Sequence, residues 1–428
     1  MRQISLSQFT KEKRRYLPRA YAGPSSPTVK RVQKIIDAVC AHGDKALCRF
    51  ALEFDRAKLT PAQLKVRAEE VATAYQRISP QLIKSLKEVA KRIRKVHTAQ
   101  LPKEQQIEQT SNTTIRLVYK PLESIGIYVP GGKAAYPSTV LMLAIPAKVA
   151  GVKNIIACTP PSQDGTVNPA VLVALNIAGV TEICKIGGAQ AIAAMAYGTE
   201  TVPKVAKIFG PGNIFVQTAK RLVSSQVGVD LTAGPSEIVI FADGTAKTEH
   251  IIHDLIAQAE HDEAAIAILV TTSEKLADDV SQRISDIAKE ADRAEIIQKA
   301  LSKNGAILLV KSTREAIQFI NQLAPEHVEL LTENADELAD RIRYAGSVSV
   351  GPYTPVAATD YAIGVNHVLP TGGSAKYASA LTIFDFMRCM SIQKLSRKGL
   401  ERLSSTIVTI AEAEGLQAHA KSVMVRLR

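Results

Sequence analysis

The feature that most constrains the fold is a sequence pattern that occurs twice near the middle of the chain. The segments AKVAGVKNIIACTPP and ALNIAGVTEICKIGG share Ala-Gly-Val, at 150–152 and 178–180, each followed by an apolar stretch and a turn. Successive strand–helix–strand units of this kind build a parallel sheet, because parallel strands need a long crossover that is usually helical. The pattern continues through KIFGPGN and DLTAGPSEIVIFAD, and a helix over 248–262 with the strand AIAILVTT begins another series. We therefore expect an α/β fold with two parallel sheets.

Helical patterns dominate the two ends of the chain. From Pro27 to about Ala51 apolar residues recur at helical spacing, and further amphipathic helices follow. The period changes at Ile115, where RLVYKPLESIGIYVPGG predicts two strands before a helix that opens at Pro137. The segment 381–428 lacks strand signals over most of its length and predicts helices, which pack either on a partner subunit or on the chain itself.

Composition and charge exclude several classes of protein. The 428 residues are 46% hydrophobic and 22% charged, as in a soluble protein with at least two domains. The formal charge of +12 raises the hypothesis of a nucleic-acid-binding protein, but basic residues mostly alternate with acids, Trp is absent and aromatic residues total 5%. Nucleic-acid binders cluster their basic residues and interleave them with aromatic ones. We expect no nucleic-acid partner.

Cysteine usage and the apolar segments bear on location. The five cysteines form no CxxC pair, and the N-terminus lacks the apolar core of a signal peptide, which favours the cytoplasm. The most apolar segment, 139–158, is interrupted by Pro146, Lys148 and Lys153 and predicts no membrane span.

Glycine turns at strand ends favour a nucleotide or phosphate ligand. No GxGxxG follows a predicted strand. The chain instead has glycine turns at Gly131-Gly132, Gly187-Gly188, Gly210-Gly212 and Gly234. In open α/β sheets ligands bind outside the carboxyl ends of the strands, where glycine lets the backbone approach a phosphate. Each turn alone fits a simple tight connection, and only their number favours a nucleotide.

Four polar residues form a candidate metal set. Gln258 and His261 lie three apart in a helical segment and so share a face. Asp360 lies in a glycine- and proline-rich stretch that suits a binding loop better than a core element, and His419 lies in the C-terminal helical arm. Two imidazoles, a carboxylate and an amide oxygen suit a borderline ion such as zinc. Spacing alone leaves open whether the four converge.

The pair Glu326-His327 is a candidate for proton transfer. It follows Pro325 and precedes the apolar stretch VELL, so it lies at a strand boundary. One group could activate water while the other removes a proton from an alcohol. The alternative, a capped and solvent-facing turn, is favoured by the neighbouring residues alone.

Longer motifs carry a resemblance to a known family. The chain contains, in order, YVPGGKAAYPSTVLMLAIPAKVAGV, GGAQAIAAMAYGT, GPGN, DLTAGPSEIVI, AQAEHD, APEHVEL, DYAIGVNHVLPTGG and EGLQAHAKS. This order and these approximate intervals resemble those of histidinol dehydrogenases, from about residue 25 to the end. The resemblance implies oxidation of L-histidinol through bound L-histidinaldehyde to L-histidine with two NAD, the final steps of histidine biosynthesis.

The resemblance also implies roles, residue by residue. One Zn²⁺ per subunit is implied at Gln258, His261, Asp360 and His419. Glu326 is implied to activate water and His327 to act as general base. Substrate contacts are implied at Ser236, Gln258, His261, His327, Asp360, Glu414 and His419, and NAD contacts at Tyr128, Gln190 and Asn213. The family is homodimeric with a crossing C-terminal arm, so Glu414 and His419 are implied to complete the neighbour's site.

These patterns together predict the domain organisation. We expect an N-terminal arm over 1–24, a large α/β domain with the metal and catalytic residues over 25–127 and 237–380, an NAD-binding α/β domain over 128–236, and a helical dimerisation arm over 381–428. Both sheet domains are expected to be incomplete Rossmann-like units between helical arms.

Two departures from the family pattern leave a rival substrate open. Thr359 stands where a glycine commonly precedes the ligand aspartate, and Val365 takes a loop position that is usually Thr or Pro. Neither removes a functional group, but both alter the loop that shapes the pocket. A relative that oxidises another small alcohol, such as a sulfonated diol, is the main rival, and the Glu414 carboxylate argues against it by charge repulsion. An inactive scaffold is disfavoured by the intact Glu326-His327 pair.

Overall fold

The structure is a computed structural model that describes residues 1–11, 24–103, 105–110, 112–131, 135–231 and 234–428. The strands in these residues form sheets of six, five and three strands. In chain order the strands are β1 (Arg2–Ser5), β2 (Gln105–Thr110), β3 (Thr113–Pro121), β4 (Ser124–Tyr128), β5 (Asn154–Thr159), β6 (Glu182–Lys185), β7 (Lys207–Phe209), β8 (Gly228–Val229), β9 (Glu237–Ala242), β10 (Ile266–Thr271), β11 (Ala306–Leu309), β12 (His327–Leu331), β13 (Ser347–Val350) and β14 (Met387–Leu395).

Helices connect the strands and cover both faces of the two larger sheets. They are α1 (Leu6–Lys11), α2 (Ser26–Phe50), α3 (Ala68–Gln76), α4 (Pro80–Ala99), α5 (Pro137–Ala150), α6 (Pro169–Ala178), α7 (Gly188–Tyr197), α8 (Ile214–Val223), α9 (Thr248–Ala259), α10 (Glu274–Lys289), α11 (Ala294–Asn304), α12 (Thr313–Leu323), α13 (Ala335–Ala339), α14 (Val356–Tyr361), α15 (Arg397–Ala413) and α16 (Gln417–Leu427). Proline opens α4, α5 and α6, where its missing N–H would have no helical partner in any case.

Two purely parallel sheets confirm the predicted fold class. The six-stranded sheet has the order β1-β11-β10-β9-β12-β13 and the five-stranded sheet the order β6-β5-β4-β7-β8. Every strand pair in both sheets is parallel. All residues of β9 and β10 are buried, because helices cover both faces of the sheet, so these strands read as unbroken apolar runs.

The helices of the first hundred residues pack on a different sheet from the one to which the predicted domain assignment gives them. Residues 32–64 share a core with one face of the five-stranded sheet, and residues 74–93 share a core with its other face. We assigned this region to the domain of 237–380, whose own cores draw on the six-stranded sheet. An amphipathic helix shows from its sequence which of its faces is buried, but not which sheet it covers.

The beginning of the chain is part of a sheet. Strand β1 pairs in parallel with β11, with Arg2 opposite Ala306, and so forms one edge of the six-stranded sheet. The predicted N-terminal arm over 1–24 therefore starts with an edge strand, and its part over 12–23 lies outside the described residues.

The C-terminal arm is not purely helical, which corrects the sequence prediction. Strand β14 pairs antiparallel with β3 along its whole length, and β2 completes this three-stranded sheet. Residues 388–395 are exposed on both faces, so the strand has no buried side that would give an alternating apolar pattern. Helices α15 and α16 follow, as predicted, and they pack on each other. In the described part of the chain, no helix is long and apolar enough to cross a membrane.

Candidate active site

Glu326 and His327 lie at the amino end of β12. Helix α12 ends at Ala324, a non-glycine residue with φ of 53°, and Pro325 then leads the chain into the strand. The side chains are buried, with 7% of Glu326 and 5% of His327 exposed. This burial excludes the alternative of a solvent-facing turn.

A network of carboxyl groups ties the amino ends of two neighbouring strands together. The Oε2 of Glu326 accepts a hydrogen bond of 2.8 Å from the backbone N–H of Glu237, the first residue of β9. The Oε1 of Glu237 in turn accepts one of 2.8 Å from the N–H of Gly372. Ser236, an implied substrate contact, directly precedes β9 and is half-buried. The strand starts thus hold Glu326 in a fixed orientation.

Asp360 lies next to the catalytic pair. Its Oδ1 is 3.9 Å from the Nε2 of His327, which is also 4.0 Å from the Oε1 of Glu326. Asp360 is a buried residue of the short helix α14 rather than of an open loop, which corrects our expectation. The reason is local: Pro355 caps a run rich in alanine, and the Thr359 hydroxyl donates to the carbonyl of Val356.

Gln258 and His261 lie at the end of α9, as predicted. The helix ends at Ala259, but the N–H of His261 still donates to the carbonyl of Gln258 at 3.3 Å, so the turn continues. Gln258 is buried, and His261 lines a cavity of about 340 Å³. The cavity is lined by Leu82, Ser85, Leu86, Val89, Ala135, Tyr136, Pro137, Ser138, Leu141, Glu260, His261, Arg293 and Tyr361. It therefore lies between His261 and the helices of the five-stranded sheet.

The histidines of this region are electrically neutral at neutral pH. Burial, then the nearby His261 and His367, lowers the pKa of His327 to about 3. Burial lowers the pKa of His367 to about 4 and also lowers that of His261. Neutral imidazoles keep a lone pair, which is what a metal ligand or a general base requires.

The carboxyl groups shift in the opposite direction for the same reason. Burial raises the pKa of Asp360 and that of Glu237 to about 7 each. Burial also raises the pKa of Glu326 well above its ordinary value, and the neighbouring Glu237 and Asp360 add to this. Several buried acids near neutral imidazoles form a site that a cation would stabilise.

His367 belongs to this cluster, although the sequence analysis gave it no role. In the neutral ring Nδ1–H donates to the carbonyl oxygen of Asp360 at 3.0 Å, so Nε2 accepts from the Thr139 hydroxyl at 3.4 Å. Thr139 belongs to α5, on the five-stranded sheet. His367 thus joins the helix of Asp360 to the other sheet. The motif DYAIGVNHVLPTGG contained it, but nothing in the motif gave it a partner.

Glu414 and His419 are not part of this cluster within one chain. Both are exposed on the C-terminal arm, Glu414 at the end of α15 and His419 on α16. Across the described residues, neither side chain has a hydrogen bond or an ion pair with the group around His327. The structure therefore brings together His261, Asp360, Glu326 and His327, and leaves the two arm residues outside.

The buried residues fit part of a metal site. The Oδ1 of Asp360 is buried and has no hydrogen-bond partner, so it is free to bind a cation near His261. Over the described ranges, no group of three or more His, Cys, Asp or Glu side chains has the arrangement of a metal site.

The implied NAD contacts lie at the carboxyl end of the five-stranded sheet. Tyr128 ends β4, and its hydroxyl accepts a hydrogen bond of 3.0 Å from the N–H of Gly188. Gln190 is buried on α7, and its Oε1 has no partner. Asn213 caps α8, with its Oδ1 accepting from Phe215 N and Val216 N.

The Gly210 turn at the same edge rests on a buried ion pair. Lys220 contacts Asp230 and donates to the carbonyl of Gly210 at 3.0 Å, while Asp230 accepts from the N–H of Gly210 at 2.7 Å. A side chain on Gly210 would overlap the carbonyl of Tyr128, and its φ is 121°. Only glycine lets these two strand ends approach so closely.

Comparisons with known proteins agree along nearly the whole chain. Residues 22–427 match the family model described as histidinol dehydrogenase. Histidinol dehydrogenase from Methanosarcina mazei is 47% identical over 396 residues, 92% of this chain and 91% of that protein. The protein of the same name from Syntrophotalea carbinolica is 46% identical over 405 residues, 95% of this chain and 94% of that one. The crystal structure of histidinol dehydrogenase from Elizabethkingia anophelis has a TM-score of 0.93 and 38% identity, covering 99% of this chain and 96% of that one.

Proposed function

Because the chain belongs to the histidinol dehydrogenase family and is an oxidoreductase, we propose that it oxidises L-histidinol to L-histidine through a bound L-histidinaldehyde, using two NAD in succession. The observation that carries this proposal is the buried Asp360 Oδ1, without a hydrogen-bond partner and 3.9 Å from a neutral His327. A base, a cation-binding carboxylate and a small cavity thus lie together at one end of the six-stranded sheet.

His327 is the proposed general base of the alcohol step. Its lowered pKa keeps the ring neutral, so Nε2 can take the alcohol proton while hydride leaves the carbon for NAD. Asp360 and Glu326 lie about equally far from that nitrogen, at 3.9 and 4.0 Å, and stabilise the imidazolium that forms.

Glu326 is the proposed base of the aldehyde step. The N–H of Glu237 holds its Oε2, which orients Oε1 towards His327. From this position Glu326 takes a proton from the water that attacks the aldehyde, and the second hydride transfer yields the carboxylate. Retaining the aldehyde at the site prevents loss of a reactive intermediate.

Zinc is the proposed metal, held by Gln258, His261, Asp360 and the partner chain's counterpart of His419. When bound, a divalent zinc with one carboxylate ligand stays net positive and orients the amine and imidazole nitrogens of the substrate. Tyr128, Gln190 and Asn213 are the proposed NAD contacts, and Ser236 and Glu414 complete the proposed substrate contacts.

A homodimer with shared active sites follows from the same proposal. Glu414 and His419 are exposed on the arm, and large apolar side chains on α15 and α16 are also exposed, among them Ile410 and Val425. Apolar surface of this kind is typical of an interface. A cytoplasmic location is also proposed, in line with the free thiols of all five cysteines.

The decisive experiment measures NADH formation from L-histidinol before chelation, after chelation and after return of zinc. We expect activity to disappear with the metal and to return with zinc. If the zinc-loaded protein made no NADH from histidinol but reduced NAD with a sulfonated diol or another alcohol, the substrate assignment would be wrong. Analytical ultracentrifugation of the same sample checks the dimer.

A further inference from the structure

Asp55 lies beside the Gly187-Gly188 turn at the carboxyl end of the five-stranded sheet. This residue ends a π-helical turn, Ala51–Asp55, that continues α2. We propose that Asp55 binds the ribose diol at the adenosine end of the dinucleotide and so selects NAD over its 2′-phosphorylated form. The inference rests on the proposed use of NAD and adds a residue to that site.

The first observation is a pair of acceptors without donors around one glycine turn. The Oδ2 of Asp55 and the Oε1 of Gln190 are both buried and have no hydrogen-bond partner. A Cβ on Gly187 would lie 3.3 Å from both carboxylate oxygens of Asp55, and one on Gly188 would lie 2.7 Å from the Oε1 of Gln190. Buried acceptors without donors are rare and costly, so two beside one dipeptide indicate a ligand that donates.

The second observation is the unusual backbone conformation next to Asp55. Arg56 follows with a left-handed φ of 58°. Among the described residues, only Arg56 and Ala324 combine a side chain with a positive φ, and Ala324 lies just before the Glu326-His327 pair. Such conformations and π-helical turns concentrate at functional sites because the backbone strain must be compensated there.

The chemistry of the neighbours favours a diol. The Tyr128 hydroxyl accepts from Gly188 and keeps its own hydrogen for donation, close enough to Asp55 that the carboxylate adds to the burial that raises the pKa of Tyr128 to about 12. A vicinal diol has two O–H donors, one for the Oδ2 of Asp55 and one for the Oε1 of Gln190. One of its oxygens can also accept the hydrogen of the Tyr128 hydroxyl. A carboxylate on the adenosine 2′-hydroxyl is a common contact in parallel-sheet dinucleotide sites.

The face of the sheet identifies the end of the cofactor. The core that contains α2 also contains α7, on one face of the five-stranded sheet. The other face carries α5, whose Thr139 reaches His367 of the catalytic cluster. A dinucleotide that delivers its nicotinamide to that cluster therefore has its adenosine end on the side of Asp55. A 2′-phosphate there would meet the negative charge of Asp55.

Calorimetric titration of the full chain with ADP-ribose tests the inference without turnover. We expect Asp55→Asn to weaken ADP-ribose binding about 10- to 100-fold, since hydrogen bonds to charged groups contribute most. Asp37→Asn is the matched control, because Asp37 lies exposed on α2, where its carboxylate accepts a hydrogen bond from Gln33. Equal thermal unfolding midpoints of the two variants show that both fold.

A second titration compares ADP with 2′-deoxy-ADP. The wild type should prefer ADP, and Asp55→Asn should lose most of that preference, while the preference for NAD over NADP narrows. Unchanged ADP-ribose binding in Asp55→Asn, or a preference for ADP that survives the substitution, overturns the role of Asp55 and leaves the proposed function intact. A wild-type protein that binds neither ADP-ribose nor NAD overturns both proposals.

Discussion

The two parallel sheets of this protein place their functional residues at opposite ends of their strands. In the five-stranded sheet the candidate cofactor residues follow the carboxyl ends, with Tyr128 at the end of β4 and Gln190 just after β6. In the six-stranded sheet the proposed proton-transfer residues lie at an amino end, with Glu326 and His327 at the start of β12, and Glu237, whose N–H donates to Glu326, starts β9. The general rule for ligands in open α/β sheets describes only the first of these edges.

The difference follows from what each edge must hold. A dinucleotide needs close approach to the backbone, which glycine turns at carboxyl ends can provide. Proton transfer needs titratable side chains held by buried donors, and the backbone N–H of Glu237 supplies one at a strand start. A substitution at one edge should therefore impair the function of that edge and leave the function of the other edge unchanged.

The largest expected effect is on the amino-end site. His327→Asn should lower the rate of histidinol oxidation by about 10²- to 10⁴-fold, the usual contribution of a general base. Zinc content and ADP-ribose affinity should be unchanged, whereas His261→Asn should lose both zinc and activity. Metal analysis and calorimetry check this, and zinc loss in His327→Asn would contradict the division of roles.

The next effect concerns the buried ion pair under the carboxyl-end turn. Lys220→Met leaves Asp230 as an unpaired buried charge, so the free energy of unfolding should fall by about 3–5 kcal/mol. ADP-ribose binding should weaken because Gly210 loses its support. Urea unfolding followed by circular dichroism measures the first change, with Arg221→Gln, its exposed neighbour, as control. Equal stability of the two variants would show that the turn does not depend on the pair.

A smaller effect concerns the pH dependence of the free energy of unfolding, to which a buried acid of the six-stranded sheet outside the candidate site contributes. Glu329 is buried on β12 beside Asp254, and burial followed by that charge raises its pKa from 4.5 to about 9. The folded chain keeps a proton that the unfolded chain loses, so this stability is complete below about pH 4.5 and is lost as pH rises to about 9.

Glu329→Gln removes that dependence. Between about pH 6 and pH 8 the wild type should lose up to about 1.4 kcal/mol per pH unit more than the variant. Urea unfolding at the two pH values measures it, and the exposed Glu333→Gln should behave as the wild type. A variant whose stability falls as steeply as that of the wild type would refute the assignment of the proton to Glu329.

The smallest effect concerns a departure from the family pattern. Thr359→Gly restores the common residue but removes the hydroxyl bond to Val356 and adds a glycine to α14, which should cost about 1–2 kcal/mol. Zinc content should not change, because Thr359 bonds to backbone and not to the cluster. Thermal unfolding and metal analysis check both parts, and a loss of zinc would show that Thr359 positions Asp360.

The sequence predicted the sheets well because their strands are buried on both faces. Runs such as 238–242 and 265–270 are continuous and apolar, and turns bound them. Strand β14 was missed because its exposed faces leave no pattern, and its partner β3 lies far away in the chain. The helices of 26–99 were recognised as helices, but the sheet they cover depends on tertiary packing.

The site could be predicted only where residues share a motif. Glu326, His327, Gln258 and His261 lie in short recognisable segments, and their placement in the structure agrees with those segments. His367, Asp55 and the Lys220–Asp230 pair act through partners far away in sequence, so no local pattern marks them. Glu414 and His419 lie outside the cluster within one chain, and no local pattern predicts which residues they contact.

The first strand of the chain gives the molecule a definite order of assembly. Among the described residues, Arg2–Ser5 pairs with the strand that begins at Ala306, about 300 residues later. At typical rates of synthesis that partner leaves the ribosome roughly 15 to 60 s after β1. By then the residues of the five-stranded sheet and its covering helices have all been made. The strands and covering helices of the five-stranded sheet can thus form while the six-stranded sheet still lacks the strand on which β1 pairs.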